Sequence, residues 1–321
     1  MRRAAHEGLH KGIAKDYFPI QQNEAIYLVD AMLRDASSWE NHLQRATTSA
    51  IMSLIYATPM IKDENEPSVA YINGFASRIT QAAFPGAHYV EFFTWMKFLP
   101  SFMAPWKKYA EDWYKKDEVV FKGFYNDVRK HVMAGDERPS FCATIIKDKL
   151  NEFNDVEAAF LAATIYATGA ESSSAVLAWF MHAMLLNPEV QRKAHEELDT
   201  VVGRSRMPTF SDYDQLRTTV IANVLSLHRD PEIYGPDATE FKPERHIVNG
   251  RPAPAMADGN GRDVAFGFGR RICVGRHVAN YGLFIDIACI LWACHILPVR
   301  DANGKPVLPV DDDEVNHGLV V

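Results

Sequence analysis

The sequence has few cysteines for its length, and this scarcity excludes two kinds of protein. Its 321 residues include four cysteines, Cys142, Cys273, Cys289 and Cys294, and no two of them form a C-x-x-C pair. Neither the disulfide framework of a secreted protein nor a zinc site of four thiolates is therefore indicated. A reducing compartment is the expected environment.

An excess of basic residues and a long hydrophobic run are also missing. The chain has 34 Lys and Arg against 41 Asp and Glu, a formal net charge of −7, so a nucleic acid is excluded as a partner. The charged start at Met1–Glu7 has no apolar run behind it and is neither a signal peptide nor a membrane anchor. The chain as given is thus expected to be cytoplasmic. The longest apolar stretch, residues 283–299, contains Asp286 and is too short to span a bilayer comfortably. We predict a buried helix there.

Apolar residues recur at helical spacing through the first two thirds of the chain, which predicts a mainly α fold. Asn187 and Pro188 mark the start of the fourth predicted helix, where Asn is the N-cap residue and Pro takes the first helical position. The predicted helical segments are residues 34–60, 68–83, 156–186, 188 to about 201, and 276–293.

Two segments allow more than one interpretation. Residues 84–113 are dense in aromatic side chains and form either a hydrophobic lid over a substrate or part of the core. The long apolar helix over 156–186 carries Gly169, Glu171 and three serines at its centre, and polar groups there are costly in a core. Residues that break local rules often mark a functional site. The alternative is a helix kink whose serines bond back to the preceding turn.

The strongest signal is the segment FGFGRRICVG, which runs from Phe266 to Gly275 and follows a long stretch rich in proline and glycine. A cysteine just ahead of a helix N-terminus is stabilised as the thiolate, because the helix dipole and free N–H groups favour negative charge. Gly269 and Gly275 allow a close approach of the backbone to a ligand, and Phe266 offers an apolar wall. A dinucleotide-binding loop is excluded, since a third glycine and a preceding strand are lacking.

This segment fits the F-x-x-G-x-R-x-C-x-G signature of the haem-thiolate monooxygenases, the cytochromes P450, at all five fixed positions. TGAESS at residues 168–173 resembles the oxygen-binding motif of that family, and FKPERH at residues 241–246 resembles its P-E-R-F segment. The similarity covers nearly the whole chain and is greatest to fungal members. It implies a single domain over residues 1–321, with the cytochrome P450-like helical fold and a small, incomplete β portion.

The resemblance also implies a role for each matching residue. Cys273 would be the axial iron ligand, and Glu171 and Ser172 would be the catalytic residues that deliver protons to dioxygen. Arg271 would pair with a haem propionate, and Arg2 would match a second propionate-binding arginine. Further cofactor contacts would come from Phe266, Gly169, Ala170, Gly269 and Gly275.

The function implied by the resemblance is the insertion of one oxygen atom of O2 into an apolar small molecule, within fungal secondary metabolism. It would require haem b and an NADPH-dependent reductase, which would dock near Arg270, Arg276 and His277. The protein would be a monomer. Full-length relatives are expected at the cytosolic face of the endoplasmic reticulum membrane.

The chain departs from the family pattern in ways that support a second hypothesis. Only residues 217–219 stand where the E-x-x-R helix of the family belongs, and both ends look short. Glu189 and Arg192 have the E-x-x-R spacing but are predicted to be a surface pair. Arg245 is therefore expected to lack its partners, at a cost of several kcal/mol if it is buried. The alternative function is a non-catalytic helical remnant with weak or no haem binding. A thiol-nucleophile enzyme is a third possibility, although no histidine is placed by sequence to act as its base.

Overall fold

The computed structural model describes residues 1–63, 66–84, 86–136, 138–147, 153–213, 215–216, 235–248, 251–252, 265–267, 270 and 272–308. These residues are mainly α-helical, as the sequence predicts. The helices are α1 (Arg2–Leu9), α2 (Lys11–Ala14), α3 (Phe18–Arg34), α4 (Trp39–Tyr56), α5 (Pro67–Ala83), α6 (Pro105–Met133), α7 (Phe141–Lys147), α8 (Asp155–Leu186), α9 (Pro188–Val201) and α10 (Arg276–Ala293).

The β structure of the described residues is small. Strand β1 (Ile247–Val248) pairs with β2 (Arg251–Pro252) in an antiparallel hairpin, in which Ile247 lies opposite Pro252. Arg300 and Pro306 form an isolated antiparallel β-bridge outside this hairpin. No helix in this part of the chain is both long enough and apolar enough to cross a bilayer.

The chain divides into two compact units. The first unit contains Met1–Gly8 and Thr48–Ser172, and the second contains Leu9–Thr47 and the described residues from Ser173 onwards. The single domain over residues 1–321 stays a prediction.

The second unit is built around the packing of α10 against α3 and α9. The closest approach is at Gly282, where an added Cβ would lie 2.9 Å from Nε2 of Gln21, so glycine allows the two helices to touch. The same Gln21 amide donates to the Val278 carbonyl at 2.9 Å. Burial of each large apolar side chain in this core contributes about 1.5–3 kcal/mol. The fully buried members include Ala25, Leu28, Leu43, Leu177, Ile285, Cys289 and Ile290.

Local signals predicted the ends of α8 and α9 to within a residue. Asn187 occupies the N-cap position of α9, as predicted, but its side chain does not cap that helix. Its Nδ2 instead donates to the Ala183 carbonyl at 2.9 Å, at the end of α8. Asn187 therefore closes the preceding helix, while Pro188 begins the next one.

The prediction of a buried helix over residues 283–299 is wrong in its last third. Helix α10 ends at Ala293, and Leu297 and Val299 are 75% and 78% exposed. The Cys294 N–H makes the last helical hydrogen bond, to the Ile290 carbonyl at 2.8 Å. Beyond the helix the chain turns back on itself, and the Val307 N–H donates to the Val299 carbonyl at 2.8 Å.

The aromatic segment belongs to the first unit and does not form part of its core. Between α5 and α6 the chain makes three short 3-10 turns, Tyr89–Glu91, Thr94–Phe98 and Ser101–Met103. Eight of its large apolar side chains are between 50% and 82% exposed. The core-packing interpretation is therefore wrong for this segment. The core of the unit instead uses Phe75, Phe121 and other buried side chains of the flanking helices.

Candidate functional site

Cys273 lies on a tight turn immediately before α10. Its N–H donates to the Phe266 carbonyl at 2.8 Å, which closes the glycine-rich segment into a loop. Gly267 has φ +69°, which favours glycine, and an added Cβ there would meet nothing within 4 Å. Gly275 is the N-cap residue of α10, so the Cys273 thiol stands two residues ahead of the helix N-terminus. Arg276 Nη1 donates to the Cys273 carbonyl at 3.2 Å and fixes the other end of the turn.

Cys273 differs from the other three cysteines in its exposure. All four are free, and only the Cys273 side chain is exposed. Burial raises the pKa of the Cys142 and Cys289 thiols well above the usual value, and raises that of Cys294 as well. These three remain neutral thiols at physiological pH. Cys273 is thus the one exposed thiol among the four, and it lies just ahead of a helix N-terminus.

The polar centre of α8 forms a ladder of hydroxyl groups along one face of the helix. Ser172 Oγ donates to the Thr168 carbonyl at 2.7 Å, and Thr168 Oγ1 donates to the Thr164 carbonyl at 2.9 Å. Ser172 thus bonds to the carbonyl one turn earlier, as the alternative predicted for the serines, whereas the kink that it also predicted is replaced by one continuous helix. Gly169 approaches Ile51, whose Cδ1 would lie 3.5 Å from an added Cβ, and Ala170 is buried.

The predicted site residues are distributed over the two units. Phe266, Cys273 and Gly275 belong to the loop of the second unit, where Phe266 is half-buried. Gly169, Ala170, Glu171 and Ser172 form one turn of α8 in the first unit, and Arg2 is the exposed first residue of α1. Gly269 and Arg271 lie outside the described residues.

Arg245 has partners, contrary to the expectation from sequence. Its side chain is 15% exposed and its Nη1 donates to Asp237 Oδ1 at 3.2 Å. Its Nη2 donates to the carbonyls of Asp237 at 2.7 Å and of Glu240 at 3.1 Å. The expectation was wrong because the acceptors come from the turn just before Arg245 rather than from a distant E-x-x-R helix. The sequence does contain a signal for this pairing, because Asp237 follows Pro236 in a turn and places a carboxylate eight residues before Arg245.

The charges around Asp237 form a local cluster. Lys242 Nζ bonds to Asp237 at 2.7 Å and lowers the pKa of that carboxyl, with a smaller contribution from Arg245. Glu244 pairs instead with Lys193 of α9 at 2.6 Å, and both side chains are exposed. The prediction of a surface pair for Glu189 and Arg192 is confirmed, with their side chains 3.0 Å apart and largely exposed.

We expect Asp237→Asn to loosen residues 235–248, because Arg245 and Lys242 lose the carboxylate that both bind. Amide hydrogen exchange of this segment should become several-fold faster, while exchange in α3 stays unchanged. Glu244→Gln is the matched control, since its pair with Lys193 is exposed and contributes little. Equal exchange rates in the two variants would contradict this assignment.

The residues of the cysteine loop fit a haem group. An exposed thiol at a helix N-terminus supplies the soft anionic ligand that haem iron accepts, and the open space around Gly267 leaves room beside the loop. The described residues contain no cluster of three or more His, Cys, Asp or Glu that could bind a metal ion by itself. A single thiolate is the donor set of a haem-thiolate protein, in which the porphyrin supplies the other ligands.

The comparisons with known proteins agree with this class. The family model "Cytochrome P450" matches residues 1–219 and 217–310. A cytochrome P450 monooxygenase of Armillaria gallica is 46% identical over 362 aligned residues, which cover 100% of this chain and 69% of the relative. Cytochrome P450 monooxygenase 58 of Postia placenta is 39% identical, over 100% of this chain and 68% of the relative. Cytochrome P450 monooxygenase iboC of Amanita muscaria is 31% identical, over 100% and 72%.

A mainly α-helical chain with an exposed cysteine ahead of a helix N-terminus has the architecture of a haem-thiolate protein. The chain belongs to the cytochrome P450 family. Its class is that of the haem-dependent monooxygenases, which use O2 and electrons from a redox partner.

Proposed function

We propose that this chain binds haem b through the Cys273 thiolate and inserts one oxygen atom of O2 into an apolar small molecule. The observation that carries the proposal is the position of Cys273, which is exposed on a closed turn two residues ahead of the α10 N-cap. Bound haem would supply the oxidising chemistry of the reaction. The chain would ligate and orient the haem, and would control the supply of protons.

The cysteine loop would hold the haem by three features. The Cys273 N–H to Phe266 carbonyl bond keeps the turn closed, so the thiol is presented at a fixed position. The N-terminal end of α10 favours the negative charge of the thiolate. Phe266 would pack against the macrocycle. Gly269 and Gly275 have no side chains, so the backbone there would allow the haem to approach closely. We assign the two propionates to Arg271 and Arg2, as the family motifs imply.

The turn of α8 from Gly169 to Ser172 would serve dioxygen. Ser172 Oγ donates its proton to the Thr168 carbonyl at 2.7 Å, so its oxygen lone pairs are directed away from the helix and can accept a proton. As the family motif implies, the carboxyl of Glu171, the preceding residue, would supply that proton. By the family motif, the small residues Gly169 and Ala170 would leave space for the oxygen molecule, although Gly169 packs against Ile51 in this structure.

Cys273→Ala is expected to abolish thiolate ligation. In the haem-reconstituted, reduced chain, the carbon monoxide difference spectrum should show the Soret band typical of thiolate ligation, and the variant should lose it. Cys294→Ala is the matched control, because Cys294 is half-buried and its pKa is raised by burial. The proposal fails if both variants give the same spectrum as the parent chain.

A second candidate, a non-catalytic remnant of a P450, is favoured by one observation. The two matches to the family model meet at residues 217–219, where the E-x-x-R helix is missing from the sequence. Limited proteolysis with and without haem separates the two candidates. A haem-binding fold becomes resistant when the ligand binds only the native state, whereas a remnant is cleaved equally in both conditions.

The remaining parts of the function are proposals by resemblance. We assign electron delivery to an NADPH-dependent reductase, which would approach the exposed Arg270 and the neighbouring Arg276 and His277. We propose that the protein acts as a monomer in fungal secondary metabolism. The endoplasmic reticulum membrane is the location that we propose for its full-length relatives.

A further inference from the structure

Two histidine rings lie against each other in the second unit. His195 is on α9, and His295 stands two residues beyond the end of α10. The centres of the two rings are 4.5 Å apart, and the ring planes meet at 64°. We call these two residues the histidine pair. Their imidazoles come from distant segments of the chain and are close enough to act together on one ligand.

The buried member of the histidine pair has a nitrogen atom without a partner. His195 is 8% exposed, and its Nε2 is buried with no hydrogen-bond partner among the described residues. Buried polar atoms in folded proteins are nearly always hydrogen-bonded, so each exception requires an explanation. An unpartnered imidazole nitrogen beside a second imidazole is explained by a bound ion that both rings ligate. His295 is exposed and leaves the pair accessible from solvent.

The backbone that carries the histidine pair is held in place by Gln191. This residue lies one turn before His195 on α9, and its Nε2 donates to the Ile296 carbonyl at 3.0 Å. The Ile296 N–H donates in turn to Gln191 Oε1 at 2.8 Å. Both bonds fix the neighbour of His295 against the helix that carries His195. The rings are therefore already placed together, and little conformational freedom is lost when an ion binds.

The charges that face His195 do not oppose the binding of a cation. Arg204 lies near it but forms an ion pair with Asp199 of α9, with Nε 2.6 Å from Oδ1. Burial lowers the pKa of His195, with smaller contributions from His295 and Arg204, while Asp199 acts in the opposite direction. The neutral imidazole, which is the form that binds metals, is thus the main form at pH 7.

We propose that His195 and His295 together bind one divalent late transition-metal ion of the Ni²⁺ or Cu²⁺ type. An imidazole nitrogen lies about 2.0–2.1 Å from such an ion, which places each ring centre about 3.2 Å from it. Two neighbouring ligands at about 90°, as in octahedral or square-planar coordination, then have ring centres about 4.5 Å apart. The tetrahedral angle that zinc prefers requires about 5.2 Å. The observed separation of 4.5 Å agrees with the first geometry.

The remaining coordination positions belong to water. No cluster of three or more His, Cys, Asp or Glu that could hold a metal ion is found in the part of the chain that the structure describes. The ion therefore links α9 to the chain after α10 through two protein ligands. Cys273 is not among them, so this site is separate from the proposed haem ligand and goes beyond the proposed function.

The experiment is a calorimetric titration of the full chain, prepared without a histidine tag, with Ni²⁺ and with Mg²⁺. We expect one Ni²⁺ to bind per chain at the histidine pair, and no Mg²⁺, which prefers oxygen ligands. His195→Ala and His295→Ala should each weaken the binding of Ni²⁺ by about tenfold or more, because the second ligand no longer acts from a fixed position beside the first. Ni²⁺ bound to Cys273 is recognised separately by its thiolate charge-transfer absorption, which imidazole ligation lacks.

The matched control is His182→Ala. His182 is a half-buried histidine of α8 in the same unit, and its ring packs against Trp179 rather than against a second imidazole, with the ring centres 5.5 Å apart. This variant should bind Ni²⁺ as the parent chain does, and circular dichroism checks that every variant remains helical. Because His295 is exposed, His295→Ala keeps the test valid even where the loss of His195 disturbs the packing.

Three results would overturn the proposal. The first is a parent chain that binds no Ni²⁺, or binds it only with thiolate absorption, which would reduce the histidine pair to a ring contact. The second is an unchanged affinity in His295→Ala. The third is a loss in His182→Ala as large as that in His295→Ala, which would show binding to surface histidines in general.

Discussion

Arg45→Met is expected to destabilise the second unit by about 3–5 kcal/mol, because it leaves a buried carboxylate without its counter-charge. Arg45 Nη1 lies 3.0 Å from Glu24 Oε2, and each side chain is only 3% exposed. The guanidinium also stacks over the Tyr27 ring, 4.5 Å from its centre. Asp286 of α10 is close enough to this pair for its pKa to respond to both charges. Urea unfolding, followed by tryptophan fluorescence, measures the loss.

The double variant Glu24→Leu/Arg45→Met should recover most of that loss, because an apolar pair replaces a buried ion pair at little cost. Arg192→Met is the surface control. Arg192 pairs with Glu189, both side chains are largely exposed, and such a pair contributes little to the free energy of unfolding. An Arg45→Met chain that unfolds at the same urea concentration as the parent would contradict the prediction. So would a double variant that is no more stable than the single one.

The second large effect is a loss of stability with rising pH, carried by Asp286. Burial raises the pKa of Asp286 from 3.8 to about 8, and the Glu24 carboxylate adds to the shift while Arg45 opposes it. The folded chain therefore binds a proton there that the unfolded chain has lost. Its stabilising contribution is complete below about pH 4 and is lost as the pH rises through about 8. Between pH 6 and 8 the free energy of unfolding should fall by at most about 1.4 kcal/mol per pH unit from this group.

Asp286→Asn should flatten this part of the pH profile, since the amide stays neutral at every pH. We expect the variant and the parent to be about equally stable at pH 4, where Asp286 is protonated whether the chain is folded or unfolded, and the variant to be more stable at pH 6 and more stable still at pH 9. Asp30→Asn is the control, because Asp30 is exposed on α3 and pairs with Arg34 at the surface. A parent profile that is level from pH 6 to 9, or one that Asp30→Asn alters as much, would show that Asp286 is ionised in the folded chain.

The elements that sequence predicted well are those whose signals are local. Helix α10 begins at Arg276 and ends at Ala293, as predicted, because a glycine-rich turn precedes it and an apolar helical pattern fills it. Helix α8 was predicted to within one residue of its start at Asp155. The cysteine loop was recognised from residue types and spacing that lie within ten positions of one another.

Interactions between distant segments were missed or predicted wrongly. Glu24, Arg45 and Asp286 come from α3, α4 and α10, and no spacing in the sequence shows that these helices meet. The one signal in the sequence is the Asp286 carboxylate inside the apolar run at 283–299, which argues against a membrane span but does not show which helices it meets. The aromatic segment was equally ambiguous, since apolar composition does not tell whether a side chain is buried.

The bounds of α8, α9 and α10 and the resemblance to the family follow from the residues alone, as does the hypothesis that Cys273 is the haem ligand, because each depends on residues close together along the chain. Tertiary packing was needed to show which charges are buried together and that the aromatic segment faces solvent. The physical reason is that burial and ion pairing depend on which surfaces helices present to one another. That is a property of packing between segments tens to hundreds of residues apart in the chain.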